Sequence, residues 1–221
     1  MSFEIKMLTG QIKVITGLHI GSGNTEMHIG GTDNPVIKTA KGTSSEPYIP
    51  GSSLKGKLRS LLELYTGSDE KNPAEIIAKL FGVSADDKSN KVEEIKTTRL
   101  SFWDCFLTEA WRKNIKDKQI AFTEVKMENT IDRITGTAKN PRNTERVIPD
   151  TEFDFKLTIK VFDDEDLLNV ILGTIKLLEM DSLGGSGSRG YGKVKFNNLQ
   201  LDGVSVQDKF DAIKPFEKRF I

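Results

Sequence analysis

The stretch Glu152-Phe-Asp-Phe-Lys-Leu-Thr-Ile-Lys-Val161 is the clearest strand in the chain, because apolar and polar residues alternate along its whole length. Such alternation is typical of a strand with one buried face. Residues 166–179 then carry an apolar stripe at helical spacing. They are followed by the glycine-rich segment 184–192 and by a second alternating run, 193–196. This half of the chain therefore predicts a strand, a helix, a glycine loop and a final strand.

Three further elements precede this stretch. Residues 11–20 alternate and predict an opening strand. Leucines at helical spacing then predict a helix that begins with Ser52 or Ser53 as N-cap and ends at Gly67. Residues 99–107 predict another strand. The resulting order, βαββαβ, indicates an α+β protein with a ferredoxin-like fold, which is also the fold of RNA recognition motifs.

Three segments lie outside that pattern, and we interpret them as insertions in a single domain that spans residues 1–221. Residues 21–47 are rich in Gly, Ser, Thr, Asn and Pro and predict a long loop. Residues 68–97 are charged and interrupted, which predicts a small helical lobe. Residues 124–147 hold few core-forming side chains between two strand-like runs, so we expect a projecting hairpin there.

The composition limits the possible partners. Thirty-two basic and 32 acidic residues balance, so a site for a polyanion must be local. A single cysteine and two histidines argue against a metal cluster. No apolar run approaches the roughly 18 residues of a membrane helix, and the N-terminus lacks the pattern of a signal peptide. We therefore expect a cytoplasmic protein without a membrane partner.

The loop Gly184-Gly-Ser-Gly-Ser-Arg-Gly-Tyr-Gly192 is the strongest candidate for an anion site. It contains G-x-G-x-x-G and part of a P-loop pattern, but it leads into a strand, whereas both nucleotide motifs lead into a helix. A plain turn from helix to strand needs fewer glycines. Small residues let backbone amides approach an anion, and an arginine suits phosphate. We therefore expect Gly185, Ser186 and Arg189 to bind RNA phosphates.

The first helix and the hairpin offer further contacts. Ser53 lies at the positive end of the helix, and Lys55 and Arg59 share one face, which would suit a second anion site. A solvated basic face explains these residues equally well. In the hairpin, Ile131 and Arg133 combine an apolar tip with a cation, as in side chains that wedge between bases. Polar arms of this kind are also common as simple linkers.

Residues that could perform hydrolysis are few. Asp33 lies in Ile29-Gly-Gly-Thr-Asp-Asn-Pro-Val36, where its carboxylate could bind a divalent ion or assist a ribose hydroxyl. An ordinary Asp-Asn-Pro turn is the simpler interpretation. His19, at the end of the opening strand, is a candidate general base, although a lone histidine there is more often structural.

Four motifs in the right order resemble the RAMP superfamily. They are Gly17-Leu-His-Ile-Gly-Ser-Gly23, Ile49-Pro-Gly-Ser-Ser-Leu-Lys-Gly-Lys-Leu-Arg59, Phe122-Thr-Glu-Val-Lys-Met-Glu-Asn-Thr-Ile-Asp-Arg-Ile134 and Leu183-Gly-Gly-Ser-Gly-Ser-Arg-Gly-Tyr-Gly-Lys193. Within that superfamily, they are most similar to the backbone subunits of type III-A Csm complexes of CRISPR systems. Residues 68–97 carry no motif of the family.

The resemblance implies a ferredoxin-like palm, a lid at 21–47, a helical lobe and a thumb at 124–147. It also implies that several copies form a filament on CRISPR RNA with other Csm subunits, and that target RNA is cut at regular intervals. Asp33 would be the catalytic residue, with a divalent metal, expected to be Mg²⁺. His19 would handle guide RNA, and the positions expected to contact RNA include Ser53, Lys55, Arg59, Ser186 and Arg189.

Two other functions stay open at this point. The chain could be a structural RNA-binding subunit without catalytic activity. It could also be a nuclease that processes the guide precursor with His19, although the sequence near His19 shows no obvious partner for acid–base chemistry.

Overall fold

The computed structural model describes residues 2–23, 32–41, 44–68, 74–83, 97–163 and 165–221. Parts of the predicted lid and most of the predicted helical lobe lie outside these residues. The described residues form nine strands and five helices. The strands are β1 Phe3–Val14, β2 Lys38–Lys41, β3 Ser44–Pro47, β4 Leu100–Phe102, β5 Thr123–Ile131, β6 Ala138–Val147, β7 Glu152–Phe162, β8 Val194–Leu201 and β9 Val204–Ser205. The helices are α1 Gly51–Thr66, α2 Glu75–Phe81, α3 Glu109–Lys118, α4 Leu168–Met180 and α5 Gln207–Asp211.

A five-stranded antiparallel sheet forms the centre of the protein, in the order β4-β7-β1-β8-β9. Strand β1 pairs with β7 along one edge and with β8 along the other, so that Leu8 lies opposite both Leu157 and Leu201. The alternating apolar residues of β1 and β7 point to one face, where α1 and α4 pack on them. Because burial of this apolar surface is the main stabilising force, the sheet and two helices form the core.

The predictions for β7 and α4 are confirmed within two residues at each end. The predicted helix near residue 52 is also confirmed, and Gly67 ends it in the left-handed region with φ of 71°. The predicted N-cap is wrong. The helix begins at Gly51, and the amide of Gly51 donates to Asp104 Oδ1 at 2.8 Å, so a carboxylate distant in sequence satisfies the helix start.

Three predicted strands differ from the observed ones. The last, predicted over 193–196, is β8, which continues to Leu201. Strand β1 begins at Phe3 and ends at Val14. Beyond it, Leu18 is buried and makes an isolated bridge with Val147 instead of continuing the sheet. The strand predicted over 99–107 is shortened to β4. Beyond it, Cys105 bridges to Ile49, and Leu107 then bridges to Phe153 of β7.

The described elements outside the βαββαβ order include α3 and the hairpin formed by β2 and β3. Helix α3 was not predicted, since it is strongly polar and buries Ile115 among charged neighbours. Strands β5 and β6 pair from Thr123 with Val147 to Ile131 with Ala138 and form a long antiparallel hairpin. No helix in the described part of the chain has the length and apolar character that crossing a membrane requires.

Candidate nucleic-acid interface

The glycine loop is held in place by close backbone contacts. At Gly184, with φ of 75°, an added Cβ would lie 2.3 Å from the carbonyl oxygen of His19. At Gly192, with φ of 70°, it would lie 2.0 Å from the carbonyl oxygen of Leu183. Both positions therefore require glycine. The amide of Gly185 donates to the His19 carbonyl at 2.9 Å, which fixes the loop against the segment that follows β1.

Arg189 lies where this loop meets the hairpin. Residues 187–189 form a single 3₁₀ turn, and Ser186 before it adopts a left-handed conformation with φ of 61°. Arg189 Nη2 donates to Ser186 Oγ at 2.5 Å, and Nε lies 3.3 Å from Glu128 Oε2. Half of the Arg189 side chain remains exposed. Its guanidinium is thus oriented by the protein while part of it stays accessible to an anion.

Tyr191 joins the loop to the hairpin. Its ring is fully buried, with Lys126 Nζ 4.5 Å and Arg146 Cζ 5.0 Å from the ring centroid. Its hydroxyl donates to Glu128 Oε1 at 3.0 Å. Burial opposes ionisation of Glu128, but hydrogen bonds from Lys126 and Tyr191 and the charge of Arg189 outweigh it and lower the pKa of this carboxyl. Burial, and then Glu128, raise the pKa of Tyr191. We call the following five residues the hairpin cluster: Lys126, Glu128, Arg146, Arg189 and Tyr191.

His19 is bound on two sides. Its Nδ1 lies 2.7 Å from the carbonyl oxygen of Glu145 in β6. A carbonyl only accepts, so Nδ1 carries the proton in this contact. The backbone of His19 meanwhile accepts the Gly185 amide. These contacts orient the half-buried imidazole between the glycine loop and the hairpin.

Asp33 lies on a segment that runs beside β6. Its Oδ2 accepts the amide of Asn143 at 3.0 Å. The next residue, Asn34, forms a parallel bridge with Thr144, and its carbonyl accepts the Glu145 amide at 3.0 Å. Asp33 is exposed at this position. The backbone of β6 therefore holds an accessible carboxylate about midway along the hairpin.

Glu145 secures the segment that follows Asp33. Its buried carboxylate accepts the Val36 amide at 2.9 Å, the Lys38 ammonium at 2.5 Å and the Thr123 hydroxyl at 2.6 Å. Burial raises the pKa of Glu145, but these three hydrogen bonds more than compensate and lower it overall. The ionised carboxylate thus joins residues 36–38 to both strands of the hairpin.

The structure brings several predicted site residues together. Asp33, His19 and Arg189 all contact the β5–β6 hairpin, at Asn143, Glu145 and Glu128 respectively. Gly185 is bonded to His19, and Ser186 to Arg189. The contacts of the loop with other elements reach the hairpin and the residues after β1.

The predicted residues of α1 occupy a different place. Ser53 and Lys55 lie, half-buried, in its first turns. Arg59 is engaged within the protein, because Nε donates to Glu63 at 2.8 Å and Nη1 to the carbonyl of Gly82 at 3.2 Å. Lys57, which the sequence did not single out, donates to Asp181 at 2.6 Å. That ion pair ties α1 to the residues just before the glycine loop.

Ile131 and Arg133 lie at the far end of the hairpin and are exposed. The turn there is built around Asp132, whose carboxylate accepts the amides of Ile134 and Thr135 and the ammonium of Lys139. Lys139 contributes most, and together these donors lower the pKa of Asp132 to about 2. Ile134 is 97% exposed, so the tip is an ordered turn that presents apolar side chains to solvent.

The described residues contain no group of three side chains able to coordinate a metal ion by themselves. Magnesium usually keeps several waters and is bound through one or two carboxylates together with substrate phosphates. Asp33, which is exposed and held by the backbone of β6, fits such a shared site. Glu145 does not, since its carboxylate already accepts three hydrogen bonds.

Sequence reasoning did not assign a role to Lys126, Glu128, Tyr191 or Glu145. One pattern could have indicated them. Lys126 and Glu128 are two residues apart in a strand, so their side chains share a face, and opposite charges there suggest a contact.

Comparison with known proteins gives a consistent result. Residues 11–195 match the model of the RAMP superfamily. The chain is 44% identical over 213 residues to the "CRISPR system Cms endoribonuclease Csm3" of Streptococcus thermophilus, covering 92% of each chain. It is 41% identical over 216 residues to the protein of the same name from Mycobacterium tuberculosis, covering 87% of this chain and 86% of that one.

Two solved structures are similar as well. One is a crystal structure of a Csm3–Csm4 subcomplex of the type III-A CRISPR-Cas interference complex, with a TM-score of 0.57, 29% identity, and coverage of 91% of this chain and 80% of that chain. The other is a chain from a cryo-EM structure of the type III-B Cmr-beta complex bound to cognate target RNA. It has a TM-score of 0.63 and 18% identity, and the match covers 90% of this chain and 61% of that chain. The latter supports the fold alone. The chain belongs to the RAMP superfamily and, within it, to the Csm3 proteins.

Proposed function

We propose that the chain is an RNA-binding endoribonuclease subunit of a type III-A CRISPR effector complex. In this proposal it binds CRISPR RNA, assembles with further copies of itself and with other Csm subunits, and cuts complementary target RNA at regular intervals. The observation that carries the proposal is the gathering of Asp33, His19 and the glycine loop along one hairpin, in a chain 44% identical to a Csm3 endoribonuclease. We expect such a complex in the cytoplasm.

We also infer that the central sheet is a ferredoxin-like palm. Counting the four strands β1, β4, β7 and β8 in chain order, the sheet order β4-β7-β1-β8 reads 2-3-1-4. Helix α1 follows the first strand and α4 the third, as in a βαββαβ unit. The β5–β6 hairpin then serves as a thumb, and residues 21–47 serve as a lid.

For RNA binding, Arg189 supplies an oriented guanidinium. The amides of Gly185 and of residues 189–192 already donate to carbonyls of the protein, so the loop would meet a phosphate with the amides of residues 186–188. The exposed Ile131 and Ile134 at the tip of the hairpin suit insertion between bases. Replacing Arg189 with alanine should weaken RNA binding about equally for all sequences and reduce the salt dependence by roughly one phosphate contact. An unchanged salt dependence would remove Arg189 from the phosphate contacts.

For cleavage, Asp33 is the residue that would act on the ribose 2′-hydroxyl, either by orienting it or by accepting its proton. The same carboxylate would hold a divalent ion, expected to be Mg²⁺, with phosphates and water as the remaining ligands. A bound divalent ion stabilises negative charge on the phosphate. The β6 backbone contributes by fixing Asp33, because its carboxylate accepts the Asn143 amide.

The test replaces Asp33 with alanine in the assembled complex and measures target binding and target cleavage separately. We expect cleavage to be lost while binding is retained. The matched control is Asp117→Ala, which removes an exposed carboxylate on α3 and should leave both unchanged. Full cleavage by the Asp33 variant would exclude Asp33 from the mechanism and favour a purely structural subunit.

A guide-processing nuclease that uses His19 is less well supported by the geometry. Its Nδ1 is bound to the Glu145 carbonyl, which leaves Nε2 for chemistry. That function would require the isolated protein to cut the repeat precursor without a metal ion, and the His19→Ala variant to lose this activity.

A further inference from the structure

The face of the central sheet opposite α1 and α4 carries an oriented, exposed tryptophan. Trp103 follows β4 directly and is 49% exposed. Its indole Nε1 donates to Thr158 Oγ1 at 2.9 Å, and Thr158 lies on β7 with its side chain on the side away from the buried residues. This bond satisfies the only donor of the indole and fixes the ring against the strand, while about half of the residue stays accessible to a stacking partner.

The side chains that border this ring on β4 and β7 are polar and basic. On β7, Lys156 and Lys160 flank Thr158 at a spacing of two residues, so all three share one face of the sheet. Lys156 is exposed, with Nζ 5.8 Å from the centre of the Trp103 ring. Ser101, opposite Thr158 on β4, is also exposed. Asp154 is the nearest carboxylate along the same face of β7, two residues beyond Lys156.

We propose that this face is a second binding site for single-stranded RNA, in which one base stacks on Trp103 and the neighbouring phosphates lie near Lys156 and Lys160. Aromatic rings flanked by cations are the usual elements of sequence-independent single-strand binding. The apolar side chains of this face lie on β1, where Met7 Sδ is 3.9 Å from Thr158 Oγ1 and Ile5 is exposed opposite Lys160. A protein partner would be favoured if the ring were enclosed by such side chains, whereas on β4 and β7 it is bordered by hydroxyls and ammonium groups.

This site is separate from the hairpin cluster. Thr158 lies six residues along β7 from Glu152, where the strand begins beside the hairpin, which corresponds to about 20 Å. The inference therefore goes beyond the proposed function, since it does not require Asp33 to cleave or Arg189 to bind RNA.

The two tryptophans of the chain make a direct test possible. In a Trp111→Phe variant, Trp103 is the only source of tryptophan fluorescence. We expect a single-stranded oligoribonucleotide to quench it saturably, because a stacked base contacts the ring. A duplex of the same sequence should not quench it, since its bases are already stacked inside the helix.

Affinity measurements on the full chain complete the test. Trp103→Ala should weaken single-strand binding at least about 5-fold, the lower end for loss of one base–aromatic stack, whereas Trp103→Phe should retain most of the affinity. The matched control is Phe216→Ala, which removes another exposed aromatic ring, 74% exposed, beside Tyr65. It should leave the affinity unchanged.

Three results would overturn the inference. They are an absence of quenching, equal affinities for Trp103→Ala and Phe216→Ala, and a change in Trp103 fluorescence that follows protein concentration without RNA. The last would assign the face to contacts between copies of the protein. Arg189→Ala, measured in the same titration, separates the two sites. If RNA still quenches Trp103 and the Arg189→Ala change leaves the affinity unaltered, the result supports the Trp103 site and counts against the proposed loop contact.

Discussion

Replacing Tyr191 with phenylalanine removes one hydroxyl from the contact between the glycine loop and the hairpin. That hydroxyl donates to Glu128 Oε1 at 3.0 Å. The buried ring keeps its packing and its positions beside Lys126 and Arg146. The variant therefore reports the hydrogen bond itself, with little contribution from lost volume.

The structure sets the expected size of this effect. A hydrogen bond to a charged group contributes about 1.5–3 kcal/mol to stability, whereas one between neutral groups contributes about 0.5–1.5 kcal/mol. The Glu128 side chain is only 12% exposed, so water replaces the lost donor poorly. Lys126 and Arg189 still interact with the carboxylate, which places the expected loss near the lower limit, about 1.5–2 kcal/mol.

The assay is equilibrium unfolding in urea, followed by circular dichroism, with the free energies of unfolding compared at unchanged m-value. Tyr65→Phe is the matched control, since its hydroxyl donates to the neutral carbonyl of Pro215 at 2.8 Å. The reasoning is refuted if Tyr191→Phe costs no more than Tyr65→Phe. It is also refuted if Tyr191→Phe and Glu128→Gln are additive in a double-mutant cycle, because contacting groups should be coupled.

Three further predictions follow from other contacts. Asp104→Ala should lower the free energy of unfolding by about 1 kcal/mol, because it removes the acceptor of the Gly51 amide at the start of α1; an unchanged urea midpoint would contradict this. Cys105 is buried, and burial raises the pKa of its thiol to about 12, so a thiol reagent at neutral pH should label it only as fast as the protein unfolds. For Asp132, the folded pKa of about 2 lies below the ordinary value of about 3.9, so its stabilisation of the turn is complete above pH 4 and is lost as the pH falls through 2. A carboxyl NMR titration should show this low midpoint, and Lys139→Ala should raise it.

The sequence predicted the core elements well where local pattern and final burial coincide. In β7, the alternating residues from Phe153 to Val161 are the ones that pack beneath the helices. Residues 15–20 show the limit of this reasoning. Leu18 is buried, as the alternation indicates, but its partner is Val147 of the hairpin instead of a strand of the sheet. Alternation reports which side chains are buried, and several backbone arrangements can bury them.

The prediction of the N-cap of α1 failed for a different reason. Serine next to a leucine stripe is a common N-terminal pattern, and local reasoning favours it. The observed acceptor for the Gly51 amide is Asp104, 53 residues away. An added Cβ on Gly51 would lie 2.7 Å from the Phe102 carbonyl, so this helix end packs tightly on β4. Contacts over such a separation depend on the tertiary fold and leave no local pattern.

The site was predictable in part. The glycine loop was singled out from its residues and Asp33 chiefly from a family resemblance, and the roles given to them stay predictions. The contact between Tyr191 and Glu128 spans 63 residues, and a charged residue in a polar hairpin suggests solvent exposure. In the structure that carboxylate is instead buried against the loop.

This arrangement changes what the balanced net charge means. A protein with equal numbers of acidic and basic residues would not be expected to bind RNA through its overall field. Glu128 and Glu145, however, are largely buried and interact with lysine and tyrosine side chains inside the protein, while half of Arg189 remains exposed. Because Glu128 also lies 3.3 Å from Arg189, a bound phosphate would compete with it for the guanidinium. The Glu128 carboxylate therefore orients Arg189 before RNA binds, but it also competes with the phosphate and reduces the free energy gained on binding. Because these two effects oppose each other, Glu128→Gln should change RNA affinity less than Arg189→Ala does.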